Sequence, residues 1–298
     1  MARTDRSARV ATTERYALAE GINWDDATGD LAWIDLHPGL VLRGEDSGGV
    51  FRELSRTRVD STVGAVAFAA DGGLLVAARR GLAVIAPDGT VSLGPDLIPG
   101  IPAGRLNDGA VDPQGRYLVG SATQDTDTGH EVLLRVSPDG TVETLRTGLS
   151  LSNGIGWSPD GGTIYHVDTW AKTVSSHRYD GSAEWDPAGW VTVIDDFPGY
   201  PDGLTVDASG DLWVAVWDGG VVQRFAASGA LVESVTVGTP QVSCPALIGE
   251  CVLAITTSSD DTAGDPLAGA LFRCDVDAAA QPTSRWAGST TNPYWRTA

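Results

Sequence analysis

Apolar residues along this chain come in short runs that alternate with polar ones at period two, and each run is bounded by Asp-Gly or a related turn. Residues 31–35, 74–78, 117–121, 164–168, 212–216 and 252–256 share this form, and each is followed by another short alternating run such as 133–136 or 221–225. Apolar spacing at i, i+3, i+4 is missing, so the pattern reads as all-β. Gly29, Gly72, Gly115, Gly161, Gly210 and Gly249 punctuate the six runs at intervals of roughly 40 to 50 residues, the period of a four-stranded propeller blade. The expectation is an all-β, six-bladed β-propeller forming one domain over residues 16–298, preceded by a loose N-terminal arm at residues 1–15. An open ring would leave unpaired strand edges. One blade is therefore expected to combine strands from both termini, with the Trp286 region as the closing segment.

The repeat has a polar register as well. Glu20, Asn107, Asn153 and Asp202 each stand four residues before an apolar position, namely Trp24, Val111, Trp157 and Val206. If the repeats surround an axis, equal register means equal height, and the four side chains meet. Asn-Gly and Asp-Gly are ordinary turn residues when met singly. The shared register is selective, however, because the second repeat carries Gly64 there and the sixth carries Val242 or Ser243. Two carboxylates and two carboxamides at one point suit a hard divalent cation. The glycines beside them are expected to supply positive φ and an open approach. Arg105, two residues before Asn107, projects to the same side if the segment is extended; its guanidinium suits a substrate oxygen, or it pairs with Asp108.

Charge and composition narrow the class. The 298 residues carry a net charge of −19, which disfavours nucleic acid and anionic membranes as partners. Lys172 is the sole lysine, so Schiff-base chemistry has little to draw on. The four histidines are scattered without a zincin spacing, and there is no Gly-x-Ser-x-Gly elbow for a serine nucleophile. Cys244, Cys251 and Cys274 are odd in number and lack a Cys-x-x-Cys spacing, which fits reduced thiols in a cytoplasmic protein. Neither a signal peptide nor an apolar run of membrane-spanning length is seen. Asp35 and Asp168 end second-strand segments and are read as blade hydrogen-bonding residues, and His166 as a packed strand residue.

Several motifs then carry a resemblance. Ala19-Glu20-Gly21 with Trp24, residues 29–35, Arg105-Leu106-Asn107-Asp108-Gly109, Ser152-Asn153-Gly154, Tyr200-Pro201-Asp202-Gly203, residues 212–220 and residues 266–272 resemble the senescence marker protein/regucalcin/gluconolactonase family, in order and over nearly the whole chain. The resemblance implies a six-bladed propeller with one divalent cation in the central channel, hydrolysing sugar lactones. It implies Glu20, Asn153 and Asp202 as metal ligands, with Arg105 and Asn107 contacting substrate. Two departures stand out. Ile22 replaces the usual proline after Glu20-Gly21, and the acidic substrate-contacting residue often found after Gly120-Ser121 is absent from Ala122-Thr123, leaving Gln124 or Asp125 as substitutes.

The function expected from this reading is a metal-dependent lactonase with a small-molecule lactone as partner, acting as a monomer. The cation would polarise the carbonyl and activate water, and Asp202 would serve as general base. Oxygen ligation favours Ca²⁺, with Mg²⁺, Mn²⁺ or Zn²⁺ as alternatives. Two rival readings stay open: the same site acting on a phosphotriester or as a biosynthetic lactonase or isomerase, and a non-catalytic propeller that binds protein on its rim.

Overall fold

The computed structural model describes residues 4–101, 103–123, 129–181, 185–260, 262, 264–291 and 296–297. Its strands form six sheets, antiparallel but for one added outer strand, as the expected six-bladed propeller. The innermost strands are Ala19–Trp24, Val63–Phe68, Arg105–Val111, Ser152–Trp157, Tyr200–Val206 and Val242–Ile248. The six alternating runs are the second strands of these blades. Among the described residues there is no helix, and hence none long and apolar enough to cross a membrane.

The second strands show why the ring is stable. In blade 1, Leu31 and Trp33 pack into a cluster with Cys244, Ala246 and Ala254 of blade 6, whereas Ala32 and Ile34 pack with Val66 and Val76 of blade 2. Successive side chains point to opposite faces of a strand, so one strand feeds two neighbouring interfaces and can be apolar on both. Blade 5 repeats the device, with Val214 and Val216 on one side and Trp213 and Ala215 on the other. Six such clusters join the six blades, the sixth-to-first junction included. The six punctuating glycines all have φ between +58° and +92°, a region costly to any residue with a Cβ.

Closure differs from expectation in its choice of segment. The N-terminal residues are paired rather than loose: Arg9–Val10 is the outer strand of blade 6, antiparallel to Phe272–Asp275. Thr4–Ser7 pairs in parallel with the outer strand of blade 5. One blade thus combines strands from both ends of the sequence, but the closing strand lies at the N-terminus and not near Trp286. Trp286 is buried against Ala69, Leu75 and Tyr117, between blades 2 and 3. It belongs to a tail that crosses the ends of the inner strands. Gln281 Nε2 donates to Trp157 O (3.0 Å) and Val206 O (3.1 Å), and Thr283 Oγ1 to Trp24 O (2.7 Å). Trp286 N donates to Phe68 O (2.9 Å), Ala287 N to Gly115 O (2.9 Å), and Thr290 N to the Asp71 carboxylate (2.7 Å). Trp24, Phe68, Trp157 and Val206 end their strands, so the tail lies at the end of the channel opposite Glu20, Asn107, Asn153 and Asp202.

Candidate active site

Each inner strand begins at one face of the ring, and each is broken by a β-bulge near that beginning. In blade 3 the break holds Asn107 and Asp108, in blade 4 Asn153 and Gly154, in blade 5 Asp202 and Gly203, and in blade 6 Ser243 and Cys244. In blade 1 it falls between Glu20 and Asn23, so Glu20 stands at its entrance. A bulge re-aims the side chains it contains, and here it turns polar residues toward the axis. The adjoining glycines do a different job from the one expected. Gly21 has φ +54°, but at Gly154 and Gly203 the requirement is close approach. A Cβ on Gly154 would lie 2.6 Å from Leu204 N, and one on Gly203 would lie 2.8 Å from Cys244 Cα. Any side chain there would push the inner strands apart and open the polar cluster at the axis.

The four residues in common register come together, and all are buried: Glu20, Asn107, Asn153 and Asp202 are 6–9% exposed. Asn153 Nδ2 donates to Asp202 Oδ1 and to Thr169 Oγ1 (3.0 Å). Asn107 Nδ2 donates to Ser152 O (2.9 Å), and its Oδ1 accepts from Arg105 Nη1 (2.5 Å). Arg105 and Asn107 therefore do share a side, and the guanidinium bonds to Asn107 and Leu106 O. Glu20 accepts only from Gly21 N (3.1 Å) among the described hydrogen bonds.

Electrostatics mark the cluster as unusual. Burial, followed by the charges of Asp202 and Asp108, holds the Glu20 carboxyl well above the usual carboxylate range. Burial and Asp108 push Asp202 up to about 8, and burial raises Asp108 to about 6. Burial also lowers Arg105, while Glu20, Asp202 and Glu131 oppose that shift. Carboxylates thus outnumber the one guanidinium at this point: Glu20, Asp108 and Asp202 act on one another, and Glu131 acts on Arg105 as well. Like charges in a desolvated site disfavour their own ionisation, and a divalent cation has the sign that offsets them. No cluster of three or more His, Cys, Asp or Glu side chains with metal-holding geometry occurs among the described residues; the donor set here is two carboxylates and a carboxamide.

Two residues of this neighbourhood were missed in the sequence. Thr169 bonds Asn153, yet a lone Thr after a strand carries no signal. Glu131 is 1% exposed, hydrogen-bonded to Ser121 Oγ (2.5 Å), and carries a second buried oxygen without a partner among the described residues. It lies on the strand beside Tyr117–Ala122, where only pairing register could have placed it behind Arg105. Gln124 and Asp125 lie outside the described residues. Asp35 and Asp168 act as read: Asp35 accepts from Ala17 N and Leu18 N, and Asp168 from Ser150 N and Leu151 N. Each pins the chain just before an inner strand. Burial and Arg146 keep His166 neutral. Since Arg146 donates to its Nδ1, Nε2–H donates to Ser152 Oγ (2.8 Å). The cysteines are unpaired. Beyond the site the channel widens into a cavity of about 600 Å³, lined by Asn23, Asp108, Thr205, Cys244 and the tail residues Gln281 and Thr283.

Comparison with known proteins bears on the family and the fold. Residues 18–259 match the sequence profile described as SMP-30/Gluconolactonase/LRE-like region. The pentonolactonase XacC of Haloferax volcanii is 33% identical over 90% of this chain and 94% of its own length. The L-arabinolactonase of Azospirillum brasilense is 31% identical over 95% of this chain and 96% of its own. Among solved structures, a calcium-binding protein, regucalcin, from Agrobacterium tumefaciens superposes with a TM-score of 0.87 at 26% identity, covering 96% of this chain and 99% of that one.

Proposed function

Because the chain belongs to the SMP-30/gluconolactonase/LRE-like family, we propose that it hydrolyses a sugar lactone at a site where Glu20, Asn153 and Asp202 hold one divalent cation. The observation that carries this reading is the buried convergence of two mutually repelling carboxylates with Asn153. These residues fit a cation: the carboxylates supply hard oxygen donors, and a carboxamide offers an oxygen at one end. Ca²⁺ suits such donors best, with Mg²⁺, Mn²⁺ and Zn²⁺ as alternatives, and the calcium-binding description of the superposed regucalcin supports the choice. When bound, the cation would supply Lewis-acid polarisation of the lactone carbonyl and acidify a water.

The chain's own residues would do the rest. Asp202 takes a proton from the attacking water at its carboxylate oxygen, as the new C–O bond forms at the carbonyl carbon. The ring C–O bond then breaks, and the same carboxyl returns the proton to the departing alkoxide, leaving a hydroxy acid. Arg105 offers N–H donors to substrate oxygens in a fixed fork, and Asn107, bonded to both Arg105 and Ser152 O, holds that fork in place. Burial of all four residues limits competing water. The named relatives make pentonolactones the substrates to try first, and the gluconolactonase in the family's description adds hexonolactones.

The test is acid release in a pH-stat from such lactones, with a phosphotriester as comparison, on chelated and Ca²⁺- or Mn²⁺-supplied protein. Sugar-lactone turnover that needs the cation and vanishes in Asp202→Ala is expected. Absence of turnover with every divalent ion, or near-normal rates in Asp202→Ala, would overturn the proposal.

A further inference from the structure

Trp170 is the one exposed tryptophan among those described, with 43% of its surface open. It lies in the turn at residues 169–172, between the second and third strands of blade 4. Thr169, immediately before it, is 5% exposed and bonds the site residue Asn153 (3.0 Å). The indole meets Tyr200 edge to face, ring centres 5.2 Å apart and planes at 78°. Tyr200 opens the inner strand of blade 5, two residues before Asp202. The indole therefore stands at the rim of the channel, on its Asn153–Asp202 side.

This turn is held firmly. Thr169 N donates to Leu151 O (3.1 Å), Lys172 N to Thr169 O (3.0 Å), and Ala171 N to Ser150 Oγ (3.1 Å), which itself donates to Asp168. Lys172 closes it at φ +54°, one of two non-glycine residues with positive φ among those described, and its ammonium sits 4.2 Å from the Tyr200 ring centre. A disfavoured backbone conformation persists where its surroundings over-determine it, and functional sites are where such strain collects. The flanking residues Ser150, Thr169, Ala171 and Lys172 are polar or small, so the indole is not part of a broad apolar patch of the kind that marks protein interfaces. A single fixed aromatic at a polar mouth suits a small polar ligand with one apolar face.

We infer that Trp170 is a substrate-contacting specificity residue, the wall on which the C–H face of the lactone ring packs while Arg105 and Asn107 on blade 3 take its hydroxyls. This inference rests on the lactonase reading. A sugar ring carries its hydroxyls at the rim and C–H bonds on its faces, so it needs a flat apolar surface as well as donors. Tyr200 fixes the plane of that surface, and aromatic rings supply large area with few torsions to freeze.

Steady-state kinetics of Trp170→Ala and Trp170→Phe on a pentono- or hexonolactone, with cation content and melting temperature from the same preparations, test it. Trp170→Ala should raise KM about tenfold, equivalent to ~1.4 kcal/mol, with kcat within twofold and cation content and melting unchanged. Trp170→Phe should recover most of the loss. Unchanged KM in Trp170→Ala beside an active wild type would overturn the wall and leave the lactonase reading standing. A kcat loss with KM intact would also overturn it, because it would assign the indole a structural role. A wild type inactive on every sugar lactone would sink the lactonase reading and the wall together.

Discussion

Cation binding at this site should expel protons, and the number can be worked from the buried carboxylates. With its carboxyl at about 8, Asp202 is roughly nine-tenths protonated at pH 7, and burial and neighbouring charge push Glu20 in the same direction. Ca²⁺ needs both as carboxylates, so binding at pH 7 should release at least about one proton, from Asp202, and the apparent affinity should climb about tenfold or more per pH unit below that. Calorimetric titration of Ca²⁺ into chelator-treated protein, repeated in buffers of different ionisation enthalpy, counts the protons directly. Asp202→Asn should remove about one, and Glu20→Gln should remove whatever Glu20 contributes beyond it. The stability consequence has a definite sign. Both groups titrate higher in the folded state than in the unfolded chain, so the folded state holds extra protons, for Asp202 between about pH 4 and 8. Stability of the chelated protein is fullest below that window and falls as pH rises through it, by about 1.4 kcal/mol per pH unit for each such proton. Added cation should reverse the trend. Release of less than about half a proton at pH 7, with chelated stability flat from pH 5 to 8, would refute the reasoning, because it would mean the carboxylates are already ionised and do not repel.

The remaining expectations are simpler. Arg105→Ala should lower kcat/KM by roughly 10- to 100-fold, the worth of a hydrogen bond from a charged donor, with cation content retained; Arg105→Lys should recover part, since an ammonium lacks the fork. Loss of the cation in Arg105→Ala, measured by elemental analysis, would show that the residue supports the ligands and not the substrate. Trp286→Ala should destabilise the fold by about 3–5 kcal/mol, since it empties a fully enclosed indole site; a denaturation midpoint within error of wild type would show that the tail is not bound to the ring in solution.

What the sequence disclosed, and what it hid, follows from the range of the signals. The blade period was readable because each unit repeats a local pattern, a Gly at positive φ and a short alternating run, as at Gly115 and Tyr117–Ala122. The common register of Glu20, Asn107, Asn153 and Asp202 was readable for the same reason. The glycines of the site were misjudged because a sequence shows which residue lacks a Cβ but not what would strike one. At Gly203 the obstacle is Cys244 Cα, in another blade. The closing strand Arg9–Val10 is two exposed residues long, too short for periodicity, and its partner lies more than 260 positions away. Glu131 stayed hidden because its importance depends on the neighbouring strand's register and on Arg105, not on its own surroundings in sequence.

The tail has a consequence for how the molecule comes apart. An array of repeats touches only its nearest neighbours, and such arrays fray unit by unit from their ends. Here residues 281–290 bond backbone or side-chain groups in blades 1, 2, 3, 4 and 5, while Arg9–Val10 stitches the last blade shut. Every blade is thereby answerable to segments that others also hold. A modular chain has become a single cooperative body, whose hydrogen exchange should be lost from all six inner strands together and not one blade at a time.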